Sequence, residues 1–114
     1  MIPEEIRQEI LLRLSEGGNI RRVIVFGSYA GGAPGLDSDI DLLVVTDDDS
    51  MPRSFEENME HYHRVSCLLR EIKKRMPIDL VVHTKPMHEE FIRQGGMFAK
   101  EIMERGEVLY EKAH

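Results

Sequence analysis

Cysteine is almost missing from this sequence: Cys67 stands alone, so no disulfide can form within the chain. Missing too is any apolar run of membrane-spanning length. The opening Met1-Ile2-Pro3-Glu4-Glu5 has no basic segment leading into an apolar one. Neither secretion nor membrane insertion is expected, which leaves a cytoplasmic location. Basic residues are outnumbered, 15 against 21 acidic, for a formal charge of −6. A protein that grips duplex nucleic acid by its phosphates shows the opposite sign, so no stable duplex partner is expected. Internal repeats, low-complexity segments and linkers are absent. A length of 114 residues leaves no room for a second, substrate-binding domain, and residues 1–114 are expected to form a single domain.

What the chain does contain is a succession of patterned segments. Residues 3–16 predict a helix: Pro3 suits a first turn, Glu4 and Glu5 complement its N-terminus, and Ile6, Ile10, Leu11 and Leu14 share a face. After Gly17-Gly18, Ile20 to Phe26 reads as a strand apolar on both faces. Residues 27–38, rich in Gly, read as a turn with one or two helical turns and then a loop. Asp39 to Val45 predicts a second strand. Ser54-Phe55-Glu56-Glu57 fits a capping box opening a long helix, with Phe55, Met59, Tyr62, Val65, Leu69, Ile72 and Met76 as its apolar stripe. Pro77 ends it. Ile78 to His83 is a third strand, residues 87–105 hold one or two helices, and Val108-Leu109-Tyr110 adds a short edge strand. A long helix between the second and third strands makes a crossover, so those two run parallel. The expected class is α/β (α+β), a small mixed sheet with helices packed against it.

Three groups of residues carry chemistry. In Asp39-Ile40-Asp41, strand alternation puts both carboxylates on one face. At about 4 Å and an effective dielectric near 20 their repulsion is on the order of 4 kcal/mol, which a divalent cation with a preference for oxygen relieves. Asp79 lies near the start of the third strand. If that strand pairs in parallel beside the second, three carboxylates meet at one sheet end and can hold two metal ions about 3.5–4 Å apart. Val25-Phe26-Gly27-Ser28 runs a buried strand into Gly-Ser, where a phosphate can approach closely and find free backbone N–H groups. Each group has a plainer reading on its own: Asp side chains capping turns, an Asp paired with Arg, an ordinary turn. The chain carries neither a Walker loop nor a dinucleotide fingerprint.

Taken together, Gly27-Ser28, ten intervening residues, Asp39-x-Asp41 and a later Asp79 resemble the DNA polymerase beta-like nucleotidyltransferase superfamily. The resemblance is nearest to the minimal nucleotidyltransferases encoded beside HEPN-domain partners, and it runs from the first helix to the Gly-Glu-Val-Leu-Tyr-Glu ending at 106–111. It implies the nucleotidyltransferase fold, ATP as substrate and two Mg²⁺ ions. Asp39, Asp41 and Asp79 are implied as catalytic residues and metal ligands, and Gly27 and Ser28 as the nucleotide-phosphate site. The implied activity is transfer of AMP from a nucleoside triphosphate to a hydroxyl, a Tyr of a HEPN toxin, by an antitoxin that works through chemistry. One position departs from the pattern: Gly31 stands where the family often has Arg. Two alternatives stay open, an antitoxin acting by contact alone and a small-molecule (antibiotic) nucleotidyltransferase working as a homodimer. Nucleobase, acceptor and oligomeric state are not fixed.

Other candidates read more simply. His61 and His63, two apart on a helix, diverge by roughly 200° and do not share a ligand. His83 reads as a loop histidine that can approach the Asp79 face. Cys67 is expected to pack, Asp47-Asp48-Asp49 to be a solvated loop, and Met87, Met97 and Met103 to fill core rather than form a contact surface. Lys85 is within chemical reason as a phosphate contact, but nothing in the sequence orients it.

Overall fold

Pro3 opens the first helix as expected, its carbonyl accepting the Arg7 N–H at 3.0 Å. The structure, a computed structural model, describes residues 2–17, 19–31 and 39–112. Helix α1 spans Glu4–Gly17 and buries Ile10 and Leu14. Strand β1 is Ile20–Phe26, the short α2 is Ser28–Gly31, and β2 is Ile40–Thr46. Helices α3 (Phe55–Leu68) and α4 (Arg70–Lys73) lead to β3 (Ile78–His83), followed by α5 (Lys85–Gln94), α6 (Met97–Arg105) and β4 (Glu107–Glu111).

The sheet order is β3-β2-β1-β4. Strands β2 and β3 run parallel, while β1 is antiparallel to both β2 and β4. The mixed sheet is therefore as expected, and β4 takes the edge position. Alternation along the strands builds two cores. Val23, Val25, Ile40, Leu42, Val44, Leu80 and Val82 meet Ile10 and Leu14 of α1, Val65 of α3, Ile72 of α4 and Leu69 between those last two helices. On the other face Ile24, Phe26, Leu43 and Val45 meet Ile102 of α6, with Phe91 of α5 against them. Each fully buried Val, Leu or Ile contributes about 1.5–3 kcal/mol.

Four details differ from expectation. β2 begins one residue late, so Asp39 precedes the strand and lies exposed. The long helix is interrupted at Leu69, whose N–H turns to the Ser66 carbonyl at 3.1 Å, a tightening that rotates the chain before α4. The capping box is displaced too: Ser54 Oγ accepts from the Glu57 N–H at 3.1 Å, but the Glu57 carboxylate takes the Arg53 N–H instead of that of Ser54. Phe55, in the first turn of α3, stays 75% exposed and joins neither core.

Candidate active site

Register brings the chemistry together. Phe26, the last residue of β1, stands opposite Asp41. On the other side of β2, Asp41 stands opposite Asp79. Three separate segments thus converge on one end of the sheet. Asp41 shares its face with Leu43 and Val45, which is the face that α5 and α6 cover.

Gly27 makes the turn out of β1 with φ +73°. A Cβ built there would lie 2.0 Å from Asp41 Oδ2, closer than any non-bonded carbon–oxygen pair. Glycine is needed twice here, for the left-handed backbone and for the approach of the carboxylate. Ser28 then starts α2, and Gly31 closes it. Residues 32–38, with Asp37 and Ser38, the side chains suited to capping local turns, lie outside the described residues.

Asp41 is the one residue of β2 that is not fully buried. Burial pushes its carboxyl above the ordinary value, and the charges of Asp79 and Asp39, a hydrogen bond with Asp79 and the charge of Glu101 push the same way. Asp41 and Asp79 thus oppose each other across paired strands, and the charges of Asp79 and Asp39 both bear on Asp41. Among the described residues no three acidic, His or Cys side chains are gathered tightly enough to close around a metal ion. The donor chemistry nevertheless suits a hard cation: carboxylate oxygens on neighbouring strands, with burial and the surrounding negative charge both opposing ionisation of Asp41.

Glu101 and Phe98 of α6 escaped the sequence reading. Phe98 meets Phe26 edge-on, with ring centroids 5.2 Å apart, and this places the first turn of α6 beside the Phe26–Asp41 pair. The three-residue spacing of Ala99 and Ile102 could mark the buried face of α6, but not the end of the sheet that it covers.

The remaining candidates fall elsewhere. His83 closes β3, four residues beyond Asp79 and so about 13 Å from it along the strand; it packs against His88 and Phe91. His61 turns to Asp48 at 3.5 Å, and His63 is exposed on the diverging side. Cys67, expected to pack, is exposed. The Asp47–Asp49 loop is not merely solvated: Asp47 pairs with Lys112 at 2.5 Å, Asp48 with Arg64 at 2.5 Å and Asp49 with Lys85 at 2.7 Å. Lys85 is thereby committed to a carboxylate. Met97 and Met103, expected in the core, are 90% and 52% exposed.

A mixed sheet that presses a glycine turn against an acidic strand pair is the architecture of the polymerase beta-like nucleotidyltransferases. Residues 8–114 match the family described as "Polymerase beta, Nucleotidyltransferase", and the chain belongs to that family; it is a nucleotidyltransferase. A protein of Methanocaldococcus jannaschii bearing the name "Putative protein adenylyltransferase" is 32% identical over 93 residues, 82% of this chain and 81% of the relative. A crystal structure of a toxin–antitoxin with AMP-PNP superposes with a TM-score of 0.60 at 18% identity, covering 93% of this chain and 73% of its own. A mutant of the toxin–antitoxin MntA-HpeT gives 0.59 at 17% identity, over 93% and 73% of the two chains. At such identities the structural likeness establishes the fold. No helix among the described residues is long and apolar enough to cross a membrane.

Proposed function

We propose that this nucleotidyltransferase is a magnesium-dependent adenylyltransferase, moving AMP from ATP to a tyrosine hydroxyl of a HEPN-domain toxin and acting in the cytoplasm as its antitoxin. The observation that carries the reading is the convergence of Gly27, Asp41 and Asp79 in adjacent strand register. The name of the M. jannaschii relative and the AMP-PNP of the toxin–antitoxin structure support it.

In this reading Asp39, Asp41 and Asp79 hold magnesium, and Gly27 and Ser28 receive the triphosphate. When bound, magnesium neutralises the phosphates and acidifies the acceptor hydroxyl. Gly27 leaves the end of β1 bare of side chain, so phosphate oxygens reach the backbone N–H groups that follow it. Asp79, more exposed than Asp41, takes the proton of the acceptor hydroxyl as its oxygen attacks the α-phosphorus in line. The bond from the α-phosphorus to the bridging oxygen breaks, and pyrophosphate leaves. Rigid β-register supplies the positioning on which such transfers depend.

The test is incubation with labelled ATP, Mg²⁺ and the product of the adjacent gene, the proposed toxin. Label on the toxin, lost when the acceptor Tyr is changed to Phe, is the expected result. A tight complex that stays unlabelled sinks the transfer reading. It would favour an antitoxin acting by contact alone, for which Gly31 in place of the family's Arg is the motivating observation.

A further inference from the structure

Phe26 ends β1 and leads into the Gly27 turn, yet the sheet grips it from one side only. It stands opposite Asp41 of β2, whereas the pairing of β1 with β4 stops one residue short, at Val25 and Glu107. Aromatic rings supply the other support. Phe98 of α6 meets Phe26 edge-on with 5.2 Å between centroids, Phe91 of α5 meets Phe98 edge-on at 5.6 Å, and His83 meets Phe91 edge-on at 4.9 Å. This row of rings joins β1, which ends at the glycine turn, to β3, which carries Asp79, although β2 lies between those strands. Helix α6 is seated closely enough to serve as an anchor. Ile102, one turn from Phe98, is buried in the same core as Phe26, and a Cβ on Gly106 would fall 2.8 Å from Ile24 Cγ2. Phe98 itself stays 40% exposed, so its ring gives up part of the burial its size allows while keeping an aromatic contact of the favoured geometry.

We propose that Phe98 is a positioning residue for nucleotidyl transfer: braced by Phe91, its ring fixes Phe26 and so sets the approach of Gly27 to Asp41. The assignment rests on the reading of Gly27, Asp41 and Asp79 as the place where triphosphate and metal bind, and it adds to that reading a residue outside the site. The approach leaves little latitude, since a Cβ at residue 27 would fall 2.0 Å from Asp41 Oδ2. Groups that bind or react need supports whose own rotamers are locked by packing, because small displacements there are costly. Leucine at position 98 keeps apolar bulk but loses the flat ring that meets Phe26. Tyrosine keeps the ring.

Full-length Phe98→Leu and Phe98→Tyr test this, with Phe55→Leu as the control for losing a ring that is 75% exposed and belongs to neither core. Two quantities are read: microsecond-to-millisecond backbone motion by NMR relaxation dispersion, and affinity for a non-hydrolysable ATP analogue with Mg²⁺. Phe98→Leu is expected to bring motion to the Gly27 and Asp41 amides while Val23 and Val44, opposite each other in mid-sheet, stay quiet. Analogue binding is expected to weaken roughly ten-fold, as on loss of a group that orients a metal site. Phe98→Tyr and Phe55→Leu are expected to match the parent in both. Phe91→Leu, one ring further back, is expected to do the same as Phe98→Leu more weakly. Motion at all four amides marks general loosening and overturns the assignment. Weaker binding with a quiet backbone overturns it too, because Phe98 then touches the nucleotide itself. Binding by the parent that Phe98→Leu leaves intact overturns only the positioning role. A parent that does not bind the analogue overturns the nucleotide site and, with it, the role of Phe98.

Discussion

Gly27 and Asp41 occupy their places only because residue 27 has no side chain: a Cβ there falls 2.0 Å from Asp41 Oδ2, at a backbone φ of +73°. Gly27→Ala must move either the turn or the carboxylate. Left-handed strain alone costs about 1–3 kcal/mol, and displacement of Asp41 removes the acidic pair from register. Expected is a lower melting temperature together with loss of at least about 100-fold in transfer rate, since small misplacements at a reacting centre cost that much. An active, undestabilised Gly27→Ala protein would sink this view of the turn.

Asp41→Asn separates chemistry from folding. Because burial and neighbouring carboxylates raise the Asp41 pKa, its ionised form opposes folding at neutral pH. The amide removes that charge while keeping the shape. Transfer is expected to vanish, and the metal-free melting temperature to rise or hold. Asp39→Asn is expected to abolish transfer as well, with the fold intact. Full activity of the double variant would end the mechanism.

A histidine at the far end of the sheet sets a pH dependence of stability. His88 is 6% exposed, and burial, with the charges of His83 and Arg22, pushes it down to about 4 from 6.5. Its Nε2 accepts from Arg22 at 3.3 Å, so the ring is held neutral. Between those two values the unfolded chain binds a proton that the folded chain refuses. Stability from this group is therefore complete above about 6.5 and is lost as the pH falls towards 4, in all on the order of 3 kcal/mol. The difference in melting temperature between the parent and His88→Gln, followed from pH 7 to 4, measures it; a difference independent of pH refutes it.

Thr84 caps α5 without using its hydroxyl, which is fully buried and has no hydrogen-bond partner among the described residues. Replacing an unsatisfied hydroxyl by a methyl of the same shape is neutral or favourable, so Thr84→Val is expected to change unfolding free energy by about 0 to +1 kcal/mol. A clear loss in denaturant titration would mean that the hydroxyl is satisfied after all.

How much of this was legible beforehand varies with the kind of pattern. The parallel pairing of β2 and β3 followed from the helical crossover between them, and the meeting of Asp41 and Asp79 was conditional on that pairing. Gly27 was legible as a turn, but not as a neighbour of Asp41, because antiparallel register between β1 and β2 depends on residues 27–39 as a whole. Two of the helical misreadings, Cys67 and Met97, share one origin. Apolar character was counted where angle decides: at 100° per residue Cys67 points about 160° away from Val65 and Leu69, and Met97 about as far from Ala99. The Asp47–Asp49 loop was misjudged because its partners, Lys112, Arg64 and Lys85, come from three different elements.

The sheet order has an implication for how this centre tolerates change. Asp41 sits on an interior strand, wedged against Gly27, whereas Asp79 sits on an edge strand and is exposed. One extra methylene therefore has somewhere to go at residue 79 and nowhere at residue 41. A longer acid thus finds space on one side of the pair and a clash on the other, so the two acids, though paired, are not sterically equivalent.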